Sequence, residues 1–145
     1  MADNCAYCAT TEAGQDVGTF GIALRELDAS WLILFREQSH RGRCIVASKS
    51  HVDDISVLSS EEAASFMADV RKVAKALHVA FAPDKINFGA YGDTMHHLHF
   101  HLVPKYASDP FEWGDVFAMN PGRTTLAADE YKEIGDKLLA ALDAE

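Results

Sequence analysis

Histidine alternates with apolar residues over residues 97–104, and this stretch constrains the fold of the chain more than any other part of its sequence. Successive side chains of a β-strand point to opposite faces, so a strand here presents imidazoles on one face and apolar groups on the other. The imidazole face carries His97, His99 and His101, and the apolar face carries Leu98, Phe100 and Leu102. Burial of the apolar face holds such a strand rigid. The pattern therefore predicts a half-buried strand with a functional face.

Three aligned imidazoles support two kinds of chemistry. They can bind a metal ion, because neutral imidazole is the commonest metal ligand in proteins. Alternatively, one imidazole can attack phosphorus while its neighbours bind the phosphate oxygens, provided that an acceptor holds its other ring nitrogen. A metal-dependent hydrolase is the weaker interpretation, since no aspartate or glutamate shares this strand face to complete the coordination.

The remaining patterns predict a single α+β domain over residues 1–145. Short runs of apolar and β-branched residues predict further strands at residues 19–27, 31–35, 42–47 and 85–91. Ser59 and Glu62 fit a capping box that begins a long amphipathic helix, and Pro83 ends it. Apolar positions at helical spacing over residues 129–142 predict a closing helix. We expect an antiparallel sheet with the long helix across one face and the second helix near the end.

Length and charge narrow the classes of function. A chain of 145 residues can bury a substantial core without disulfide or metal staples. Its 13 Lys and Arg against 22 Asp and Glu give a net charge of -9, which argues against a protein that holds nucleic acid by its phosphates. The apolar runs are too short to cross a membrane, and the N-terminus lacks a signal-peptide pattern. We therefore expect a cytoplasmic protein with neither nucleic-acid nor membrane partners.

The run His-Leu-His-Phe-His-Leu-Val that starts at His97 matches the signature of the histidine triad (HIT) family. Its surroundings agree, because Asn87 precedes the triad and Pro104 follows it. Residues 42–51 are similar to the Gly-x-x-x-Val-x-x-Lys-x-His segment that precedes the long helix of that family. The resemblance covers most of residues 31–106.

The resemblance implies a HIT-like fold, with a five-stranded antiparallel sheet, and a homodimer. It also implies a hydrolase or transferase of nucleoside monophosphates, typically AMP, acting on dinucleoside polyphosphates or AMP phosphoramidates without a catalytic cofactor. His99 would attack the α-phosphorus and form a nucleotidyl-histidine intermediate, His101 would contact the phosphate oxygens, and His97 would orient the site. Asn87 matches a polar position near the phosphate. The alternative is a nucleotide-binding regulatory module with little turnover.

The sequence departs from the family at positions that bear on the substrate. Asp93 stands where the family commonly has a Gln that contacts phosphate or leaving group, and Thr94 follows at a position that is often Ser or Thr. Arg43 replaces a common His, and it either binds phosphate or packs behind the triad. The family contacts ribose with an acidic or amide residue after the strand that matches residues 31–35. Glu37 is the nearest candidate, and a solvated loop carboxylate is the alternative interpretation.

Cys5 and Cys8 form a Cys-x-x-Cys pair, which leaves a tetrahedral zinc ion two ligands short. Relatives of the triad family that hold structural zinc complete the set with two histidines, at positions that match His51 and His97. The resemblance therefore implies a site for structural zinc at these four residues. A redox role for the pair is disfavoured, because no thioredoxin-like βαβ pattern surrounds it. Cys44 is expected to be a small buried residue.

Residues 111–122 are rich in aromatic residues, Gly and Pro, and predict an ordered loop after the histidine strand. In the family this segment tends to approach the substrate, so Trp113 is expected to shape leaving-group specificity. Packing or a dimer contact is expected for Phe117. His40 and His78 have no partners at suggestive spacing and are expected to be surface or helix residues.

Overall fold

One antiparallel sheet and two helices make up the fold in a computed structural model that describes residues 4–145. The strands are β1 (Asp16–Val17), β2 (Gly21–Glu26), β3 (Ser30–Phe35), β4 (Cys44–Ser48), β5 (Lys85–Gly89) and β6 (His99–Lys105). They are ordered β1-β2-β3-β4-β6-β5, so that β1 and β5 form the sheet edges. The helices are α1 (Ser60–Phe81) and α2 (Ala128–Asp143), and a short 3-10 turn at Ile55–Val57 precedes α1.

The predicted antiparallel α+β sheet is present, but its strand count of five is wrong. The sixth strand is β1, whose two residues pair with the start of β2. Two residues are too few to show the period of two by which a strand is recognised in sequence. The histidine strand also begins later than predicted, at His99. His97 lies in a bend that precedes the strand, and its backbone N–H donates to the carbonyl of Met95.

Helix α1 begins and ends where the sequence predicts. The Ser59 hydroxyl accepts from the Glu62 backbone N–H, and the Glu62 carboxylate accepts from the Ser59 backbone N–H. This reciprocal capping box satisfies two donors that the first turn leaves free. At the other end, Ala82 adopts a left-handed conformation immediately before Pro83. One face of the helix is buried, at Phe66, Asp69, Val70, Val73, Ala76 and Leu77.

Both faces of the sheet are covered. Helices α1 and α2 cover one face, where Leu102 of β6 joins a core with Leu77 and Leu138, and Phe100 packs edge-on against Phe66. The opposite face holds a second cluster: Tyr7, Val17, Ala23, Trp31, Ile33, Phe35, Ile45 and Ala47. Because side chains alternate along β6, its histidines point to this second face. Within residues 4–145, neither helix is long and apolar enough to cross a membrane.

Candidate active site and metal site

The structure brings His99 and His101 together on the strand next to one edge of the sheet. Strand β6 lies between β4 and β5, and His99 and His101 are paired across the ladder with Ala47 and Ile45 of β4. Their ring centroids are 5.4 Å apart, and both side chains are buried. The ladder to β4 fixes the backbone of both residues, and Gly89 of β5 pairs with His101 from the other side, so the imidazoles are held in place without a ligand.

The tautomer of His99 follows from one hydrogen bond. Its Nδ1 lies 2.6 Å from the backbone carbonyl oxygen of His97. A carbonyl oxygen only accepts, so Nδ1 carries the proton and the neutral ring keeps its lone pair on Nε2. Burial lowers the pKa of His99, and the hydrogen bond to His97 opposes that shift. The result is a neutral imidazole whose Nε2 is available as a nucleophile.

His101 is also neutral, but its ring has the opposite tautomer. A guanidinium nitrogen of Arg43 lies 3.2 Å from its Nδ1. Guanidinium groups only donate, so Nδ1 accepts and the ring proton is on Nε2. Burial, together with the positive charge of Arg43 and the neighbouring His99, lowers the pKa of His101 to about 3. His101 is therefore a hydrogen-bond donor toward a ligand, and not a cation.

Arg43 itself is 0% exposed and lies behind the triad, as one of its two interpretations expects. Its guanidinium donates to the carbonyl oxygens of Ala118 and Met119, each at 3.0 Å. It is also sandwiched between two rings, with its central carbon 4.2 Å from the centroid of Phe35 and 4.9 Å from that of Phe117. Phe117 therefore has the packing role expected for it.

A cavity of about 450 Å³ opens over the two histidines. Asp93 and Thr94 line it together with His99 and His101, and both are exposed at its rim. Asn87 and Trp113 instead line a neighbouring groove of about 890 Å³ beside β5. The apolar wall of the triad cavity includes Phe35. The rest of that wall comes from residues that the sequence prediction did not include: Tyr7, Phe20, Ile45, Met95 and Met119.

Tyr7 is the clearest site residue that the sequence prediction missed. Its buried ring lies 4.8 Å from that of His99 and 5.2 Å from that of His97. A signal was available, because Tyr7 stands between two cysteines whose predicted partner is His97. Any residue inside that short loop must lie close to the triad.

Glu37 is buried, at 8% exposed, so its interpretation as a solvated loop carboxylate is wrong. Its carboxylate accepts the backbone N–H groups of Ser39, Arg123 and Thr124 and the hydroxyl of Thr124. Burial raises the pKa of Glu37, but these hydrogen bonds together outweigh it and bring the pKa to about 2. The carboxylate ties the chain after β3 to residues 123–124, beside a cavity that adjoins the triad cavity and shares Phe20, Phe35 and Asn120 with it.

The four residues predicted as zinc ligands converge on one point. Their ligand atoms all lie within 4.8 Å of one another, and all four belong to the described chain. Nδ1 of His97 is 3.4 Å from the sulfur of Cys5 and 3.5 Å from that of Cys8, and Nδ1 of His51 is 3.1 Å away. A zinc tetrahedron with Zn–N near 2.0 Å and Zn–S near 2.3 Å has edges of about 3.3 to 3.8 Å. The spacing therefore fits zinc.

The hydrogen bonds of His97 support the same conclusion. Its Nε2 lies 2.6 Å from the carbonyl oxygen of Ser48, so Nε2 carries the proton and the Nδ1 lone pair faces the cysteines. A carbonyl that orients the ring in this way is a typical partner of a metal-bound histidine. No cysteine forms a disulfide, and Cys44 is buried in the core as expected. Cys5, Cys8, His51 and His97 could hold a metal ion, which is the site that the sequence predicts for structural zinc.

The expectation that His40 is a surface residue is wrong. Its side chain is buried, its Nε2 lies 2.6 Å from a carboxylate oxygen of Glu112, and its ring stacks on Phe111. The Lys105 ammonium group, at the end of β6, donates to the carbonyl oxygens of Glu112 and Asp115 in the loop that follows this strand. The contacts of His40 join segments more than 70 residues apart along the chain, so no local pattern could indicate them. His78 is exposed on α1, as expected.

Comparison with known proteins agrees with this geometry. The family model for the HIT domain matches residues 23–108. Protein hit of Bacillus subtilis is 26% identical over 136 residues, which cover 90% of this chain and 86% of that protein. A histidine triad protein from Sinorhizobium meliloti has a TM-score of 0.74 at 21% identity, covering 83% of this chain and 89% of its own. A zinc-bound histidine triad family protein from Mycobacterium smegmatis has a TM-score of 0.63 at 25% identity, covering 84% of each chain. The fold is HIT-like, and the chain belongs to the HIT-domain family.

Proposed function

We propose that this protein hydrolyses or transfers nucleoside monophosphates through a covalent intermediate on His99. Membership of the HIT family supports a nucleotide hydrolase, transferase or nucleotide-binding protein. The observation that carries the narrower proposal is the hydrogen bond from His99 Nδ1 to the His97 carbonyl, because it leaves Nε2 unprotonated in a ring that lines the cavity. An imidazole in this state is a competent nucleophile toward phosphorus.

The reaction proceeds in two halves. The Nε2 lone pair of His99 attacks the α-phosphorus, the bond from phosphorus to the leaving group breaks, and the leaving group takes the bonding pair. The His97 carbonyl continues to accept the hydrogen bond from Nδ1–H and stabilises the charged ring. Water then attacks phosphorus, the P–N bond breaks, its electron pair returns to Nε2, and the proton from water passes to solvent. His101 donates from Nε2 to a phosphate oxygen in both halves.

The substrates proposed are AMP-linked compounds, either dinucleoside polyphosphates or AMP phosphoramidates. The apolar side of the cavity, with Tyr7 and Phe20, suits a base, and its volume suits a nucleotide rather than a polymer. Asp93 and Thr94 line the rim of the cavity, and their proposed role is to contact the leaving group. Asn87 lies on β5 beside β6, and its proposed role is toward the phosphate side.

We propose that Cys5, Cys8, His51 and His97 would hold zinc. A bound zinc ion would cross-link the N-terminal segment to His97 and would take no part in the chemistry at phosphorus. The M. smegmatis relative is zinc-bound, and the ligand spacing found here supports a zinc site in this chain. The site joins the N-terminal segment to His97, whose carbonyl holds His99. Its proposed function is thus to fix the two walls of the triad cavity relative to each other.

A homodimer is proposed from family resemblance and from the surface beside β5. This strand is a sheet edge, and exposed apolar side chains flank it at Phe88, Trp113 and Val116. An uncovered edge with apolar neighbours is the kind of surface that a second chain pairs with. Light scattering tests the proposal: a mass of about twice the 15.9 kDa of one chain supports it, and a monomer contradicts it.

Intact-protein mass spectrometry tests the covalent intermediate. The wild type is incubated briefly with diadenosine tetraphosphate or with adenosine phosphoramidate, and released AMP is quantified in the same samples. We expect an AMP-sized adduct on the wild type that turns over to AMP and is absent from His99→Ala. His96→Ala is the matched control, since His96 is an exposed histidine whose ring contacts only Asp53 among the described residues. Nucleotide binding with neither adduct nor AMP would instead identify a regulatory binding module.

A further inference from the structure

Arg43 is completely buried and forms no ion pair within the described residues, although Glu37 and Glu112 act on its charge from beyond ion-pair distance. The guanidinium contacts two carbonyl oxygens, two aromatic rings, the Met119 sulfur and the His101 ring. Among the described residues, its Nε has no hydrogen-bond partner. A buried charge without an ion-pair partner costs stability, so it is better explained by function than by folding.

The direction of the Arg43–His101 contact decides what His101 can do. Because a guanidinium cannot accept, the His101 ring keeps its Nδ1 lone pair toward Arg43 and its proton on Nε2. A second proton would have to be added at Nδ1, directly against the N–H of a cation. His101 can therefore give a hydrogen bond to a phosphate oxygen, but it has no proton to transfer to a departing group.

From this we infer that Arg43 is the positioning residue of His101 and that the site is thereby matched to phosphoric anhydrides rather than to phosphoramidates. The inference deepens the proposed function and rests on it. A polyphosphate leaves as a stable anion when the P–O bond breaks, and it needs no proton. An amine has to gain a proton as the P–N bond breaks, and His101 in this state cannot supply it.

The same arrangement gives the phosphate a fixed positive charge. The guanidinium nitrogen is 3.2 Å from His101 Nδ1. Adding the width of the ring and one hydrogen bond puts a phosphate oxygen about 8 Å from the charge. At an effective dielectric constant of about 20, a unit charge at that distance changes the stabilisation of a unit anion by about 30-fold. Removing the charge should lower kcat/KM on a dinucleoside polyphosphate by about that factor.

The state of His101 is tested by nitrogen NMR of the imidazole rings. In the wild type we expect His101 to have an unprotonated Nδ1 and a protonated Nε2, and to stay neutral between pH 5 and 8. The groups that face it are Arg43 immediately before β4, His99 on its own strand, and Tyr7, Tyr91 and Asp93 around the cavity. In Arg43→Met the ring should titrate closer to its ordinary pKa, and Arg43→Lys should restore the neutral state in part. Arg41→Met is the matched control, because Arg41 is half-exposed beside Glu133 and away from the cavity.

The substrate preference is tested first in the wild type, by comparing its kcat/KM on diadenosine tetraphosphate with its kcat/KM on adenosine phosphoramidate. We expect the anhydride to be preferred, and the preference to shrink in Arg43→Met. A protonated Nδ1, an imidazole that titrates near neutral pH, or equal or better cleavage of the phosphoramidate would each overturn the inference. If Arg43→Met does not fold, the two wild-type measurements still decide the question. Absence of the His99 adduct with either substrate would contradict the proposed function, whereas the tautomer of His101 is measured without any turnover.

Discussion

Replacing Glu37 with glutamine tests whether its carboxylate holds the protein together or is available to a ligand. The buried carboxylate accepts four hydrogen bonds, three of them from backbone N–H groups of Ser39, Arg123 and Thr124. Its pKa is lowered from 4.5 to about 2. At about 1.4 kcal/mol per pKa unit, the ionised carboxylate contributes about 3 kcal/mol to the free energy of unfolding at pH 7.

This contribution has a defined pH dependence. The pKa of Glu37 is lower in the folded chain than in the unfolded one, so the contribution is complete above about pH 5 and disappears as the pH falls from about 4.5 to about 2. At pH 3 about 1 kcal/mol remains. Glu37→Gln loses this contribution to the free energy of unfolding, and it turns an amide NH₂ toward backbone donors. We expect the variant to be less stable than the wild type by about 3 kcal/mol at pH 7 and by about 1 kcal/mol at pH 3.

Urea denaturation at the two pH values, with zinc held constant, measures both differences. For a chain of this size the midpoint at pH 7 should fall by about 2 M. Glu133→Gln is the matched control, because that carboxylate is exposed and lies 3.9 Å from Arg41, and it should leave the midpoint unchanged. A Glu37→Gln variant with wild-type stability but a raised KM for nucleotide would refute this reasoning and identify Glu37 as the ribose contact.

Three further substitutions probe the metal site, the sheet and a turn. Cys8→Ser should lose bound zinc and become sensitive to proteolysis within residues 4–10 while the sheet persists. Metal analysis and limited digestion measure these changes, and full zinc retention would contradict the ligand set. Asp69→Ala removes the carboxylate that accepts from the Ala29 backbone N–H and the Ser30 hydroxyl, and it should cost about 2 to 3 kcal/mol, seen as a fall in Tm of about 8 °C; an unchanged Tm would contradict this. Gly42→Ala should destabilise the protein more than Gly14→Ala. Both positions have a positive φ, of +94° and +89°, but only at Gly42 would the added Cβ lie 2.8 Å from the Phe81 ring. Equal losses in the free energy of unfolding would exclude the clash.

The elements with strong local signals were predictable. The alternation around His99 predicted a strand with a histidine face and an apolar face, and β6 has both. The capping box at Ser59 predicted the start of α1 to the residue. Both signals arise from neighbours in sequence, namely the pleat of a strand and the free donors of a first helical turn. The zinc ligands were identified by resemblance to relatives, since spacing alone cannot join Cys5 to a histidine 92 residues away.

Features that depend on contacts between distant segments were not predictable. The buried pair of His40 and Glu112 is one case, and the burial of Arg43 under residues 118 and 119 is another. A charged or titratable side chain is expected at the surface unless a partner is known, and here the partners come from a loop about 75 residues further along the chain. The two-residue strand β1 was missed because it is too short to show a period.

Periodicity and helix capping act between near neighbours, so the strand, the long helix and the chemical groups of the site could be predicted from the sequence. The tautomer of each triad histidine could not, because it depends on which group each ring nitrogen meets in the folded chain. An imidazole can be a metal ligand, a nucleophile or a hydrogen-bond donor, depending on which ring nitrogen meets a donor or an acceptor. Here the carbonyls of Ser48 and His97 and the guanidinium of Arg43 set the tautomers of His97, His99 and His101. Two of these partners, Ser48 and Arg43, come from a distant segment of the chain, so the tautomers are a property of the fold.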